Sequence, residues 1–166
     1  MGLSVEALQE HSIAVAEVAS HLEPGAVWRE DAYLAGLLHD MGLLIMATRL
    51  TNEYRLIDAQ SRESGAPRME IERRVLGCHH GDIGAYLFGL WGLPAAIIEA
   101  VSEHADLELD PQEPLNAARA VAVAEELVGA VQTVDPVLPQ RFRFSTDPRW
   151  AGWLVRATTT LAKDAA

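Results

Sequence analysis

The sequence predicts an all-α, single-domain bundle of about six to seven helices spanning residues 1–166. Apolar residues recur at steps of three, four and seven along most of the chain, the spacing of amphipathic helices. They make up 49% of the residues while aromatics contribute only 6%, so the core has to be built from Ala, Leu, Val and Ile, which suits closely packed helices. Alternating Val/Ile/Thr runs bounded by hairpin turns are missing, and no strand is expected. A chain of 166 residues suits one domain with room for a sizeable core.

Val5, Leu8, Val15, Val18 and Leu22 mark the first helix, which Glu23-Pro24-Gly25 ends. His11 is in phase with that stripe and so faces inward. The second helix runs from about Val27 to His39, and Met41 to Leu50 continues its apolar run after a break at Gly42. A more polar third helix covers Asn52 to Glu63 and stops at Ser64-Gly65-Ala66-Pro67. The fourth starts near Arg68 and carries Glu72, Leu76, His80, Ile83 and Leu87 on one face, with His79 pointing elsewhere. Gly77, Gly81 and Gly84 lie on it, and because glycine weakens a helix they imply close packing there.

Trp91-Gly92-Leu93-Pro94 forms a tight corner, with Trp91 expected to plug the core and Pro94 to open the fifth helix. Ile97, Val101 and His104 are in phase on that helix, and His104 stands at its C-terminal end. After an acidic, proline-containing linker from Asp106 to Pro114, the Ala- and Val-rich sixth helix covers Leu115 to Val131. Glu125 falls in phase with Ala118, Val121 and Val128, whereas Glu126 faces another way. Residues 134–146 read as a Pro-rich irregular connection. Asp147-Pro148 then supplies an N-cap and first-turn proline for a last helix to about Leu161.

Lys plus Arg total 13 against 24 Asp plus Glu, for a net charge of −11. Such a balance argues against binding to nucleic-acid backbones or anionic membrane surfaces, which need basic patches. Cys78 is the one cysteine, so there is no disulfide framework and a reducing cytosol fits best. Glu6 and Glu10 interrupt the apolar residues at the start, no signal peptide is visible, and the longest apolar runs fall short of a bilayer span. The expected location is cytoplasmic.

Five helices thus each offer a ligand-type residue from an otherwise apolar face: His11, His39 with Asp40, His80, His104 and Glu125. Buried polar groups need partners, and separate helices can bring such groups together at a shared centre. The set is all nitrogen and oxygen with no thiolate, which suits Fe, Mn, Co, Ni or Zn rather than a structural zinc knuckle. Cys78 beside His79 could be taken for a Cys-His nucleophile, but adjacent helical residues diverge by about 100°. Arg73 and Arg74 are either a phosphate grip near His80 or a solvated face, and no Gly-rich phosphate loop is present.

His11-Ser12 with Ala14-Val15-Ala16, followed by Ala35-Gly36-Leu37-Leu38-His39-Asp40-Met41-Gly42, resembles the HD superfamily of metal-dependent phosphohydrolases. Glu72, Leu76-Gly77, His80, Gly84, Trp91-Gly92-Leu93-Pro94 and His104 resemble more narrowly its HDOD branch, domains of bacterial signalling proteins. The likeness spans roughly residues 8–130. It implies an HD-type helical bundle in which His11, His39, Asp40 and Glu125 hold one divalent ion and His80 and His104 help hold a second. By the same likeness His39 and Asp40 carry the catalytic role, two ions activating a bridging hydroxide against a phosphoester.

Three departures bear on activity. Glu125 stands where the superfamily has a late Asp, and Leu43 where many active members carry a Lys after the His-Asp-x-Gly run. Ala105-Asp106-Leu107-Glu108 follows His104, without the Gly-Tyr-Pro signature of cyclic-dinucleotide phosphodiesterases. The helical lobe that the resemblance implies before this region is not read in these residues, which suits either a fragment of a longer protein or a minimal version. The balance favours a regulatory or output domain of bacterial signal transduction, acting through signalling partners or a separate helical or receiver lobe. The alternative is a metal-dependent phosphohydrolase acting on a small phosphoester.

Overall fold

The computed structural model describes residues 3–110, 112–132 and 143–164, so the connection expected at 134–146 lies, up to residue 142, outside the described residues. Among these residues the chain is all helix, without strands: α1 Val5–His21, α2 Arg29–Leu38, α3 Met41–Arg49, α4 Thr51–Ser64, α5 Arg68–Leu76, α6 His80–Leu90, α7 Ala95–Glu103, α8 Ala117–Gln132 and α9 Trp150–Asp164. The number exceeds the expected six or seven because two stretches break. One break falls at His39-Asp40, just ahead of Gly42, and the other splits the expected fourth helix after Leu76.

α8 sits at the centre and packs against α1, α2, α7 and α9. Its residues Ala120, Val121, Ala122, Val123 and Ala124 are all fully buried, as expected of a helix that is apolar all round. α1 starts where the Ser4 hydroxyl accepts the Ala7 N–H at 3.2 Å, and it turns Val15, Val18, Ala19 and Leu22 onto this core. α2 lies so close to α1 that a Cβ on Gly36 would meet the Ala16 Cα at 2.7 Å. A smaller apolar cluster of Met46, Tyr54, Ile57 and Ile71 holds α3, α4 and α5 together.

The second break corrects the sequence reading. Gly77 adopts a left-handed conformation (φ 79°) and its N–H bonds back to the Arg73 carbonyl, which closes α5 as a glycine C-cap does. The expected single helix would have held Glu72 and His80 two turns apart. Folded back, they touch. Gly77 itself has open space where a Cβ would stand, so its role is the turn, while Gly81 is the position of close approach, 2.8 Å from the Val101 carbonyl oxygen for a Cβ.

Trp91, expected in the core, is 62% exposed. The turn at Gly92 puts Leu93 against the core instead, and Trp91 only touches the Phe88 ring from outside. At the last helix Asp147 does not cap α9, which begins three residues later. Its carboxylate takes the Arg149 N–H at 2.8 Å and the Arg149 guanidinium. No helix among the described residues is long and apolar enough to cross a membrane.

Candidate metal centre

Adjacent residues on one continuous helix would diverge, yet His39 and Asp40 face the same point. The reason is the break between α2 and α3: His39 closes α2 in helical geometry, and Asp40 sits in the bridge region at φ −97°, ψ 6°. His39 Nε2 lies 3.5 Å from Asp40 Oδ2. α1 brings His11 Nε2 to 3.9 Å from the same oxygen, and the start of α6 brings His80 Nε2 to 3.4 Å from Asp40 Oδ1. His104, the residue that closes α7, completes the row with its Nε2 3.3 Å from that of His80. Glu125, reaching in from α8, sets its Oε2 2.9 Å from His11 Nε2 and 3.1 Å from His39 Nε2.

All six candidate residues therefore meet. Their ligand atoms form two overlapping groups, His11/His39/Asp40 and Asp40/His80/His104, with Asp40 common to both and Glu125 against the first. The centre is nearly closed: His39, His80 and His104 are buried, while His11 and Glu125 keep about a third of their side chains in solvent (27% and 34%).

The hydrogen bonds behind the rings decide what the centre can hold. His39 Nδ1 faces the Gly36 carbonyl at 2.7 Å, His104 Nδ1 the Val101 carbonyl at 2.8 Å, and His80 Nδ1 the Glu72 carboxylate at 2.6 Å. Each of these partners only accepts, so each Nδ1 carries the proton and donates it. A neutral ring then presents a bare Nε2 lone pair to the centre. His39 Nε2 is buried without an aligned hydrogen bond, and the His80 and His104 lone pairs face each other. That is an unfavourable arrangement unless something positive lies between them.

Without an ion, the centre's demand for positive charge shows as proton uptake. Burial alone would push the His39 pKa down, but Asp40 and Glu125 overcome it and the pKa is pushed up to about 9. His11 is raised chiefly by its hydrogen bond with Glu125. Burial, together with the nearby His39 and His80, holds His104 well below the usual imidazole value. Burial would raise Glu125, yet contacts with His11 and His39 keep it well below the usual carboxylate range. Two carboxylates and four imidazoles thus draw in positive charge, and this nitrogen and oxygen donor set fits a divalent first-row metal ion. The Nδ1 bonds are the outer-sphere contacts that metal-binding histidines use.

His79 and Glu126 stand apart from the centre, but neither faces bulk solvent. His79 Nδ1 accepts the Gly81 N–H at 3.0 Å while Asp82 accepts the His79 N–H, a reciprocal cap on α6. Its Nε2 must therefore carry the proton, and it faces Asp82 and Asp106 at 3.3 and 3.5 Å. Glu126 takes the Arg143 guanidinium and the Phe144 N–H, pinning the segment before α9. Periodicity said only where these two do not point. Arg73 pairs with Asp106, and Arg74 is exposed. We expect His79→Ala to lower the melting temperature by a few degrees, because losing an N-cap costs about 0.5–2 kcal/mol. Bound metal per protein, measured by mass spectrometry, should stay unchanged.

A helical bundle that gathers four histidines and a shared His-Asp carboxylate from separate elements is an HD-type domain. The model of the HDOD domain family matches residues 2–107, and the chain belongs to that family. Three solved structures share the fold. An HDOD domain protein of unknown function from Geobacter sulfurreducens matches 98% of this chain with a TM-score of 0.74 and 23% identity. A Shewanella amazonensis protein named as a candidate phosphohydrolase also matches 98%, with a TM-score of 0.70 and 21% identity. A Marinobacter aquaeolei protein named as a candidate signal-transduction protein matches 99%, with a TM-score of 0.68 and 22% identity. An uncharacterised Treponema pallidum protein is 27% identical over 83 residues, half of this chain. The chain spans only part of these proteins: 59%, 60% and 39% of the three structures and 16% of the Treponema protein. The family match ends before α8, so Glu125 lies outside it.

Proposed function

We propose that this domain is a regulatory module of bacterial signal transduction, built around one or two divalent metal ions held by His11, His39, Asp40, His80, His104 and Glu125. The observation that carries the metal is the set of three buried rings whose Nε2 atoms face the two ligand groups that share Asp40, with each Nδ1 already donating. The bound metal supplies the positive charge that lets four imidazoles and two carboxylates share a nearly dry centre, so it fastens α1, α2, α3, α6, α7 and α8 together.

What favours regulation over turnover is that, among the described residues, the position after the His-Asp-x-Gly run carries no cation and two arginines of α5 are already paired. Position 43 is a half-buried Leu, and Arg68 and Arg73 on α5 are engaged by Glu72 with Asp58 and by Asp106. Signal output then passes through contacts with partner proteins. A second reading, metal-dependent hydrolysis of a phosphoester with His39 and Asp40 as catalytic residues, rests on the partial exposure of His11 and Glu125, which leaves the centre open on one side.

Protein purified without chelators should contain Fe, Mn, Co, Ni or Zn in near-stoichiometric amount. At ion concentrations about a hundredfold above Kd, bound metal adds ~2.7 kcal/mol, so a strong chelator should lower the melting temperature by roughly 5–10 °C. Re-addition of the ion should restore it. Hydrolysis of bis(p-nitrophenyl) phosphate or cyclic dinucleotides with Mn²⁺ or Fe²⁺ should stay at background. Protein that carries no metal and ignores the chelator would refute the proposal.

A further inference from the structure

Of the three buried histidines of the centre, His80 is held differently from the other two. His39 and His104 each donate Nδ1–H to a carbonyl three residues earlier in their own helix. Any helix end supplies such a partner. His80 instead donates to Glu72, on a different helix, at 2.6 Å. Glu72 has no solvent exposure at all. Its Oε2 takes both the backbone N–H (2.9 Å) and the ring of His80, and its Oε1 takes Arg68 Nε at 2.9 Å. Arg68 in turn lies over the Tyr54 ring and 3.6 Å from Asp58 on α4.

A buried glutamate that served only to pair Arg68 would have no need of the ring contact. Nor would it need the left-handed turn at Gly77 that folds α5 back onto the start of α6. We infer that Glu72 is a positioning residue for the metal centre: it fixes the Nδ1–H tautomer and the ring orientation of His80, so that Nε2 faces Asp40 and His104 as a donor. Its negative charge also strengthens that donor, which the neutral carbonyls behind His39 and His104 cannot do. The contact makes α5, and through Arg68 and Asp58 also α4, the part of the fold on which the donor strength of the centre depends.

This inference rests on the metal-centre reading, and the test separates the two. In metal-free wild type, nitrogen-15 NMR of the histidine rings should show His80 as the Nδ1–H form, with a strongly hydrogen-bonded, slowly exchanging proton. In Glu72→Gln that proton should move upfield and the tautomers mix, while His39 and His104 keep their signals. Zn²⁺ affinity, by competition with a chromophoric chelator, should fall about 10–100-fold in the folded variant. Glu72→Asp, one methylene shorter, should restore little of it.

A purely structural Glu72 would lower the melting temperature and leave both the ring signals and the Zn²⁺ affinity as in wild type, and that result overturns the inference. Should Glu72→Gln fail to fold, the wild-type spectrum decides, because an Nε2–H tautomer of His80 is incompatible with the role. If wild type binds no Zn²⁺ but shows the Nδ1–H form lost in Glu72→Gln, the metal reading fails while the orienting role of Glu72 stands.

Discussion

Gly42→Ala should destabilise the domain by at least ~3 kcal/mol and lower its metal affinity together with its stability. In an exposed helix the same change stabilises by about 1 kcal/mol, because alanine is the better helix former. Here the sign reverses. A Cβ at position 42 would stand 1.9 Å from the carbonyl oxygen of His80 and 3.0 Å from its Cα. Both are backbone atoms at the start of α6, so no side chain can swing aside, and α3 and α6 would have to part by more than an ångström. That motion carries His80 away from Asp40, now 3.4 Å from its ring. Against a total stability of ~5–15 kcal/mol, the loss should show as a melting temperature at least 6 °C lower, or as failure to fold. Calorimetry of the two proteins measures it. Equal melting temperatures would mean that α3 and α6 do not pack this closely.

The glycine two residues after the His-Asp pair also shows how far the sequence could be followed. Its place in the motif was visible, and so was the inward phase of His11, His80, His104 and Glu125, because periodicity reports which face of a helix a residue shares with the core. What a neighbour on another helix does to that face is not local information. Glu72 and His80 satisfy a 3.6-residue period as well on one long helix as on two helices folded back at Gly77, so the pattern could not find the break. The left-handed glycine followed by a second helix start at His79-His80 was the only local sign of it. Trp91 was misplaced for a related reason: at a helix end an aromatic can point either way, and the turn at Gly92 chose Leu93 for the core. The meeting of Glu125 with His11 spans 114 positions in sequence; their shared inward phase suggested a common centre, but not which atoms would touch.

Asp40→Ala should abolish stoichiometric metal binding and make the domain indifferent to chelators. Among the described residues Asp40 is the one carboxylate within 4 Å of His11, His39 and His80 together, and both ligand groups contain it. Its side chain makes no helix cap, so alanine leaves the bend between α2 and α3 free to form, and the effect can be assigned to the centre. The metal-free variant keeps a fully buried His39 that has lost one of the two carboxylates favouring its charge. Leaving a buried polar or charged group without its mate typically costs a few kcal/mol. Compared with metal-loaded wild type, the melting temperature should therefore fall by roughly 6–12 °C. Wild type treated with chelator should fall part of that way, and the variant should not respond. The same pair of proteins separates the two functional readings. A regulatory centre predicts the stability loss and background hydrolysis in both proteins. Metal-dependent phosphoester turnover in wild type, lost in an Asp40→Ala protein of unchanged stability, would instead make the centre catalytic.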